Sequence, residues 1–288
     1  MGHEQLIRHS VRAARLQAAM EAPPFHQYTF EDGTVWTEFY RNDNGYLLRF
    51  PELADFEISA DGKSVVSRPA VDIDSATVEH LFINQIVPLA MSRQGRPAFH
   101  ASVVTVSGGA VACLGKTGMG KSTLAAYFAL NGSEFLTDDA LLVEERPDAC
   151  WALPSHSSVR LWDDSVDALA GSEIPRADLL CYTDKTRLLA GDALAFCETA
   201  QPLLAAYVLR DNGVSEPRIN PLSGSDRTME WVENSFLLDI ADHDLLARHF
   251  DWTHRISSVV PTFELDYPRD YGMLSHVRDV VCNHIATL

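Results

Sequence analysis

The sequence predicts a mixed α/β fold preceded by a small β-rich unit, and three observations carry that prediction. Aromatic and β-branched residues punctuated by turn dipeptides fill 26–66. Two further β runs, 102–106 and 111–114, are joined by Gly108-Gly109. A glycine-rich segment follows the second run directly and opens a helical pattern. The 288 residues suffice to bury a sizeable core, and 46% hydrophobic with 22% charged residues is the balance of a folded chain.

Taken in order, Leu6, Ile7, Val11, Leu16 and Met20 recur at helix-like intervals from Gln5 to Met20 and stop at Pro23-Pro24, which predicts a short amphipathic helix. From His26 to Val66, Asp32-Gly33, Asn44-Gly45 and Asp61-Gly62 supply the positive-φ positions of tight hairpins, so this stretch reads as an antiparallel unit. Asp74 or Ser75 can cap a helix with an apolar face at Val78, Leu81, Phe82, Ile86, Leu89 and Met91. The expected division is 1–73 for the β-rich unit with its leading helix, and 74–288 for the α/β domain. Past Val143, strands are expected near 203–209 and 263–265, and helices near 237–250 and 271–282.

A net charge of −17 excludes wholesale binding to nucleic acid or an anionic membrane, since both need a field of Lys and Arg. Cys113, Cys150, Cys181, Cys197 and Cys282 are odd in number and widely spaced, with no C-x-x-C pair, so they read as free thiols in a reducing compartment. The first residues carry no sustained apolar stretch, which together with the thiols predicts a cytoplasmic address.

Gly115-Lys116-Thr117-Gly118-Met119-Gly120-Lys121-Ser122 matches G-x-x-x-x-G-K-[ST] in full, between a β run and a helix pattern through Leu124, Tyr127 and Leu130. Glycines at these positions let successive N–H groups curl around a phosphate. Lys121 can reach the β- and γ-oxygens, Ser122 can ligate Mg²⁺, and the helix N-terminus adds partial positive charge. ATP and Mg²⁺ are the expected ligands, bound by the segment from Gly115 through Ser122 to Thr123. Met119 has no chemical duty there.

Phe135-Leu136-Thr137 then leads to Asp138-Asp139. Adjacent strand residues point to opposite faces, so both acids serve one site only if the strand ends or bends there. One acid could then ligate metal while the other accepts a proton from an attacking hydroxyl. Arg160, Lys185 and Arg187 are the nearest cationic candidates for phosphate or substrate charge.

The order His100, then 115–122, then Asp138-Asp139 resembles the catalytic domain of the bacterial HPr kinase/phosphorylase family. There a His precedes a strand pair, a G-x-x-G-x-G-K-S loop follows, and a short helix leads to an Asp-Asp segment. The resemblance covers 99–143 well and the rest in outline. It implies a P-loop kinase domain of the type shared by HPr kinase and ATP-dependent phosphoenolpyruvate carboxykinase. It further implies Asp138 as general base, Asp139 with Ser122 as magnesium ligands, Lys121 on the phosphates, and His100 beside the base and the transferred group. The family's glutamate-containing metal segment and its phosphorolysis loop have no legible counterpart, which favours the kinase direction.

LRFPELADFEIS at 48–59 and VPLAMSRQGRPAFHAS at 87–102, in an acidic chain with a β-rich N-terminal unit, are similar in layout to the HPr-kinase-like enzymes of lasso-peptide biosynthesis. That resemblance implies a serine acceptor at the C-terminus of a precursor peptide, within the broader expectation of a peptide or small-protein acceptor. A small-molecule kinase and a nucleotide-sensing binding protein remain the alternatives, and a homo-oligomer stays open.

Overall fold

The structure is a computed structural model and describes residues 7–30, 32–169, 174–177, 180 and 182–288. Gln5, Leu6 and Cys181 lie outside the described residues. The chain divides into two compact units: Met1–Gly95 with Leu180–Tyr182 and Leu237–Ile240, and Arg96–Leu179 with Thr183–Phe236 and Ala241–Leu288. The first unit thus extends past residue 73 to take in the helical stretch, which packs on its last strand.

In the first unit, β1 (Arg8–Val11), β2 (His26–Thr29), β3 (Val35–Asn42), β4 (Gly45–Phe50), β5 (Ala54–Ser59) and β6 (Ser64–Pro69) form one sheet in the order β1-β6-β5-β4-β3-β2. The hairpins form where the turn dipeptides predict them. Gly45 is indispensable, because a Cβ there would fall 2.2 Å from the Ile58 carbonyl oxygen. Phe39, Leu48, Phe50, Phe56 and Ile58 are its buried core. Asp74 caps α1 (Ser75–Leu81) by accepting the Thr77 N–H at 2.7 Å, and a π-helical stretch joins it to α2 (Val87–Arg93).

Among the described residues 7–20 the expected N-terminal helix is not there. Its span instead supplies β1, parallel to β6, with further backbone bonds from Arg12 to Ser67 and Arg15 to Pro69. The open edge of β6 offers unpaired backbone groups, and bonding them outweighs a stripe with nothing apolar to cover. Val11 and Leu16 are accordingly 60% and 80% exposed.

The second unit contains β7 (Ala98–Phe99), β8 (Ala101–Val106), β9 (Gly109–Leu114), α3 (Lys121–Leu130), β10 (Phe135–Thr137), β11 (Leu141–Glu145), β12 (Cys150–Leu153), β13 (Ser158–Leu161), α4 (Asp163–Leu169), β14 (Thr186–Leu189), β15 (Gln201–Arg210), β16 (Arg218–Pro221), α5 (Gly224–Glu233), α6 (His243–Val259), β17 (Thr262–Asp266) and α7 (Leu274–Ile285). A nine-stranded sheet runs β10-β8-β9-β15-β12-β11-β7, with β17 also on β15 and β16 on β17; β13 and β14 pair separately. This is a mixed α/β architecture.

Strand β9 is buried along its whole length, as a strand covered on both faces should be. Val111 and Cys113 pack with Leu124 and Phe128 of α3 and Val277 and Val281 of α7. Ala110, Ala112 and Leu114 pack with Trp231 of α5 and Ile256 of α6. The helix expected at 237–250 begins later, because Asp242 caps α6 by accepting the Leu245 N–H at 2.9 Å.

Strands β9, β15 and β17 run parallel, and β10 shares their direction because β10 and β9 are each antiparallel to β8. Their C-terminal ends release 115–120, Asp211, 267–271 and Asp138-Asp139 on one side of the sheet. Ligands in open α/β sheets bind at such ends. Cys113, Cys150 and Cys197 are buried free thiols and Cys282 is a half-buried one. No helix among the described residues is long and apolar enough to cross a membrane.

Candidate active site

The glycine segment turns sharply out of β9. Gly115, Gly118 and Gly120 all have positive φ, and Gly120 starts α3 from a left-handed conformation without any side-chain cap. The first-turn N–H groups of a helix lack intrahelical partners, so an uncapped start is an anion site. Lys121 is buried and folds back, its ammonium donating to the carbonyls of Gly115 at 2.6 Å and Lys116 at 3.1 Å. Burial lowers the Lys121 pKa, with Asp139 and Asp138 opposing that shift.

Strand β10 ends at Thr137, meeting the condition under which two adjacent acids reach one site. Arg160 of β13 engages both. Its backbone N–H donates to Asp138 Oδ2 at 3.1 Å, and its guanidinium bonds Asp139 Oδ2 through Nε, at 3.1 Å, and Nη2. Asp138 Oδ1 also accepts the Ser102 hydroxyl at 2.6 Å. Asp139 sits at φ 76°, a left-handed conformation that a side-chain-bearing residue adopts at some strain, and one that Asp tolerates better than most.

The two carboxyls are driven apart. Burial and then the neighbouring Asp139 charge push Asp138 above the usual carboxylate range, against the Ser102 and Arg160 hydrogen bonds. Burial would raise Asp139 too, but the charge of Arg160, with His100 and Lys185, holds it well below that range. His100 precedes β8; its Nδ1 donates to the Asp139 carbonyl at 3.0 Å and its own N–H donates to the Asn234 carbonyl at 2.6 Å. Burial and then the Lys121 charge lower the imidazole pKa to about 4, so the ring is neutral near pH 7.

These groups surround a cavity of about 330 Å³, within the size range of small-ligand sites. Of the residues singled out by sequence, Thr117 to Thr123, His100, Asp139, Arg160 and Lys185 are on its wall. Gly115 and Lys116 stand behind, holding the Lys121 ammonium. Asp138 is behind Asp139, bonded to Ser102 and the Arg160 backbone. Arg187 is not on the wall: it pairs with Arg160 across β13 and β14, and its charge acts on His156.

Several wall or support residues escaped the sequence reading. Asn234 Oδ1 accepts the Gly115 N–H at 3.0 Å and so fixes the start of the loop from 119 residues away in sequence. Tyr267, Arg269 and Tyr271 follow β17 and line the cavity, as does Ser165, which links Thr123 to the Tyr271 hydroxyl. No short motif marks them; an aromatic and basic cluster at the end of a β run was the one available signal.

The loop glycines, the uncapped helix start and Lys121 fit a nucleoside polyphosphate. Among the described residues no group of three or more His, Cys, Asp or Glu could hold a metal. Mg²⁺ takes few protein ligands and relies on phosphates and water, so Ser122 and Asp139 on one wall fit it. No protein-family model matches the chain, and no curated protein matches it. Among solved structures, the Hpr(Ser) kinase/phosphatase from Coxiella burnetii is similar at a TM-score of 0.28 and 14% identity, over 56% of this chain and 97% of that one.

Proposed function

We propose that the chain is a Mg·ATP-dependent kinase that transfers the γ-phosphoryl group to a serine hydroxyl of a peptide or small protein. One observation carries the reading: the glycine loop with its buried Lys121 and the Asp139 carboxylate meet on a single cavity at the ends of parallel strands, with Asp138 directly behind Asp139 and its pKa shifted the opposite way. A pair of titratable groups pushed apart by their surroundings divides into distinct roles. Asp139, ionised and on the wall, would hold Mg²⁺ with Ser122. Asp138, raised toward the range a base needs, would take the serine proton once its Ser102 bond opens. The serine oxygen bonds to the γ-phosphorus as the β,γ-bridging oxygen leaves with ADP. Bound Mg²⁺ would neutralise charge on the β- and γ-oxygens. Lys121, the loop amides and Arg160 stabilise the same charge from this chain, and His100, held neutral, orients the Asp139 turn.

The test is ATP-dependent labelling of serine-containing peptides and small proteins, with a lasso precursor ending in serine as the first acceptor. Lys121→Ala should abolish labelling and nucleotide binding together. Asp138→Asn should retain nucleotide yet lose transfer by about 10²–10⁴-fold, the usual contribution of a general base. Normal turnover by Asp138→Asn would remove the base. Phosphate found only on a metabolite would make the chain a small-molecule kinase, and binding without any phosphorylated product would make it a nucleotide sensor.

A further inference from the structure

Among the described residues, four cations line the cavity: Lys121, Arg160, Lys185 and Arg269. They are not equally committed. Lys121 is held by two loop carbonyls, Arg160 is ion-paired to Asp139, and Lys185 lies over the exposed Trp162 ring at 5.1 Å. Arg269 forms no ion pair within 4.0 Å with any described carboxylate, although Asp211 and Asp270 line the same cavity. Its guanidinium is nevertheless fixed. Nη2 donates to the Arg210 carbonyl at 2.6 Å, and the group lies over the Tyr267 ring at 4.1 Å.

Those two contacts aim the other edge of the guanidinium at the phosphate loop. A Cβ on Gly120 would be 3.5 Å from Arg269 Nη1 and 3.3 Å from the Tyr267 hydroxyl. Gly120 is the left-handed residue whose backbone begins α3, so both donors stand beside the uncapped start of that helix. The Tyr267 hydroxyl keeps its proton, since burial pushes its pKa up to about 12. A planar guanidinium oriented by a carbonyl and an aromatic face has lost little further freedom when it meets a phosphate, and it can bond two oxygens at once.

Resting on the nucleotide reading above, we infer that Arg269, with the Tyr267 hydroxyl beside it, is a second phosphate anchor of this site, gripping the polyphosphate from the β17 side of the loop. Glycine is required at 120 by its φ of 79°; the two contacts there are close but are not clashes. The ligand class follows from the chemistry. A nucleoside di- or triphosphate reaches both Lys121 and Arg269, whereas an uncharged nucleoside gains nothing from either.

Calorimetric titration of the full chain with ATP, ADP and adenosine, magnesium present, tests this. Arg269→Ala should weaken ATP and ADP by about tenfold or more, the usual loss for a charge-assisted bond, and leave adenosine unchanged. Arg269→Lys should recover only part of the loss, and Tyr267→Phe should weaken ATP by a smaller factor. Arg255→Ala, which removes an exposed charge paired with Glu145 outside the cavity, should change nothing. ATP affinity of Arg269→Ala within twofold of the unmodified protein, or an equal loss for adenosine, overturns the anchor while the nucleotide site stands. Absence of ATP binding by the unmodified protein overturns both.

Discussion

Each unit buries an arginine–aspartate pair, and the two pairs have opposite fates. In the first unit Arg49 and Asp55 face each other across β4 and β5, and the guanidinium bonds both carboxylate oxygens, at 2.8 and 2.9 Å. Gln17 adds a third bond to Asp55, and the remaining Arg49 nitrogen donates to the Ala18 carbonyl at 2.7 Å. In the second unit the two guanidinium bonds that Arg160 makes to Asp139 fall on one carboxylate oxygen, and no described residue donates to the other. That residue also has a left-handed backbone, a second acid beside it and a cavity in front. A buried ion pair therefore does not by itself mark a site. The mark is an acceptor left unsatisfied where a ligand can reach it.

Neutralising each acid breaks the comparison most strongly. Asp55→Asn should lower folding stability by about 3–5 kcal/mol, as breaking a fully buried pair does, while the folded protein keeps its nucleotide affinity. Asp139→Asn should reverse the pattern, with transfer falling by about 10²–10³-fold and stability by about 1–2 kcal/mol. Denaturant unfolding and single-turnover labelling on both variants decide it; equal stability losses would erase the distinction drawn here.

A smaller effect separates the second unit by pH. His100 and His156 are both lowered to about 4, by burial first and then by Lys121 and Arg187 respectively. The folded protein keeps both rings neutral while the unfolded chain takes up protons below its value near 6.5. Stability from these groups is therefore lost as pH falls from about 6.5 toward 4. Asp138, raised in the fold, acts in the opposite sense over the lower part of that range. Replacing His156 with Gln should flatten the acid-side loss by up to about 1.4 kcal/mol per pH unit, read from unfolding midpoints across pH. An unchanged slope would show that His156 protonates freely in the fold.

The smallest expected effect sharpens the comparison at the loop. Asn234→Ala removes the acceptor for the Gly115 N–H, a net hydrogen bond worth about 1 kcal/mol, and should weaken ATP by about fivefold without touching the Arg49–Asp55 pair.

Local chemistry made part of this site legible. The strand, glycine segment and helix lie within about two dozen residues, and the conformations they need are written in Gly118, Gly120 and the Lys121-Ser122 pair. Turn dipeptides likewise announced the hairpins of the first unit, and Asp74 announced its helix. The N-terminal stretch misled because 3.6-residue spacing says nothing about an open strand edge nearby, and β6 offered one. Arg160 and Arg187 looked alike as isolated cations; their difference depends on what each meets around the β13–β14 pair, since only Arg160 borders the cavity. Asn234 and Ser102 carried no signal, because their roles exist only once distant strands align.

By itself the sequence determined the glycine loop, the two adjacent acids and the β run that leads into the loop, since backbone conformations and local residue preferences are properties of neighbouring residues. Tertiary structure alone decided which acid faces the cavity, which cations are already neutralised, and that four strand ends open on the same side. Those facts depend on long-range pairing and on the burial it imposes, which sets both the pKa shifts and the groups left free to meet a ligand.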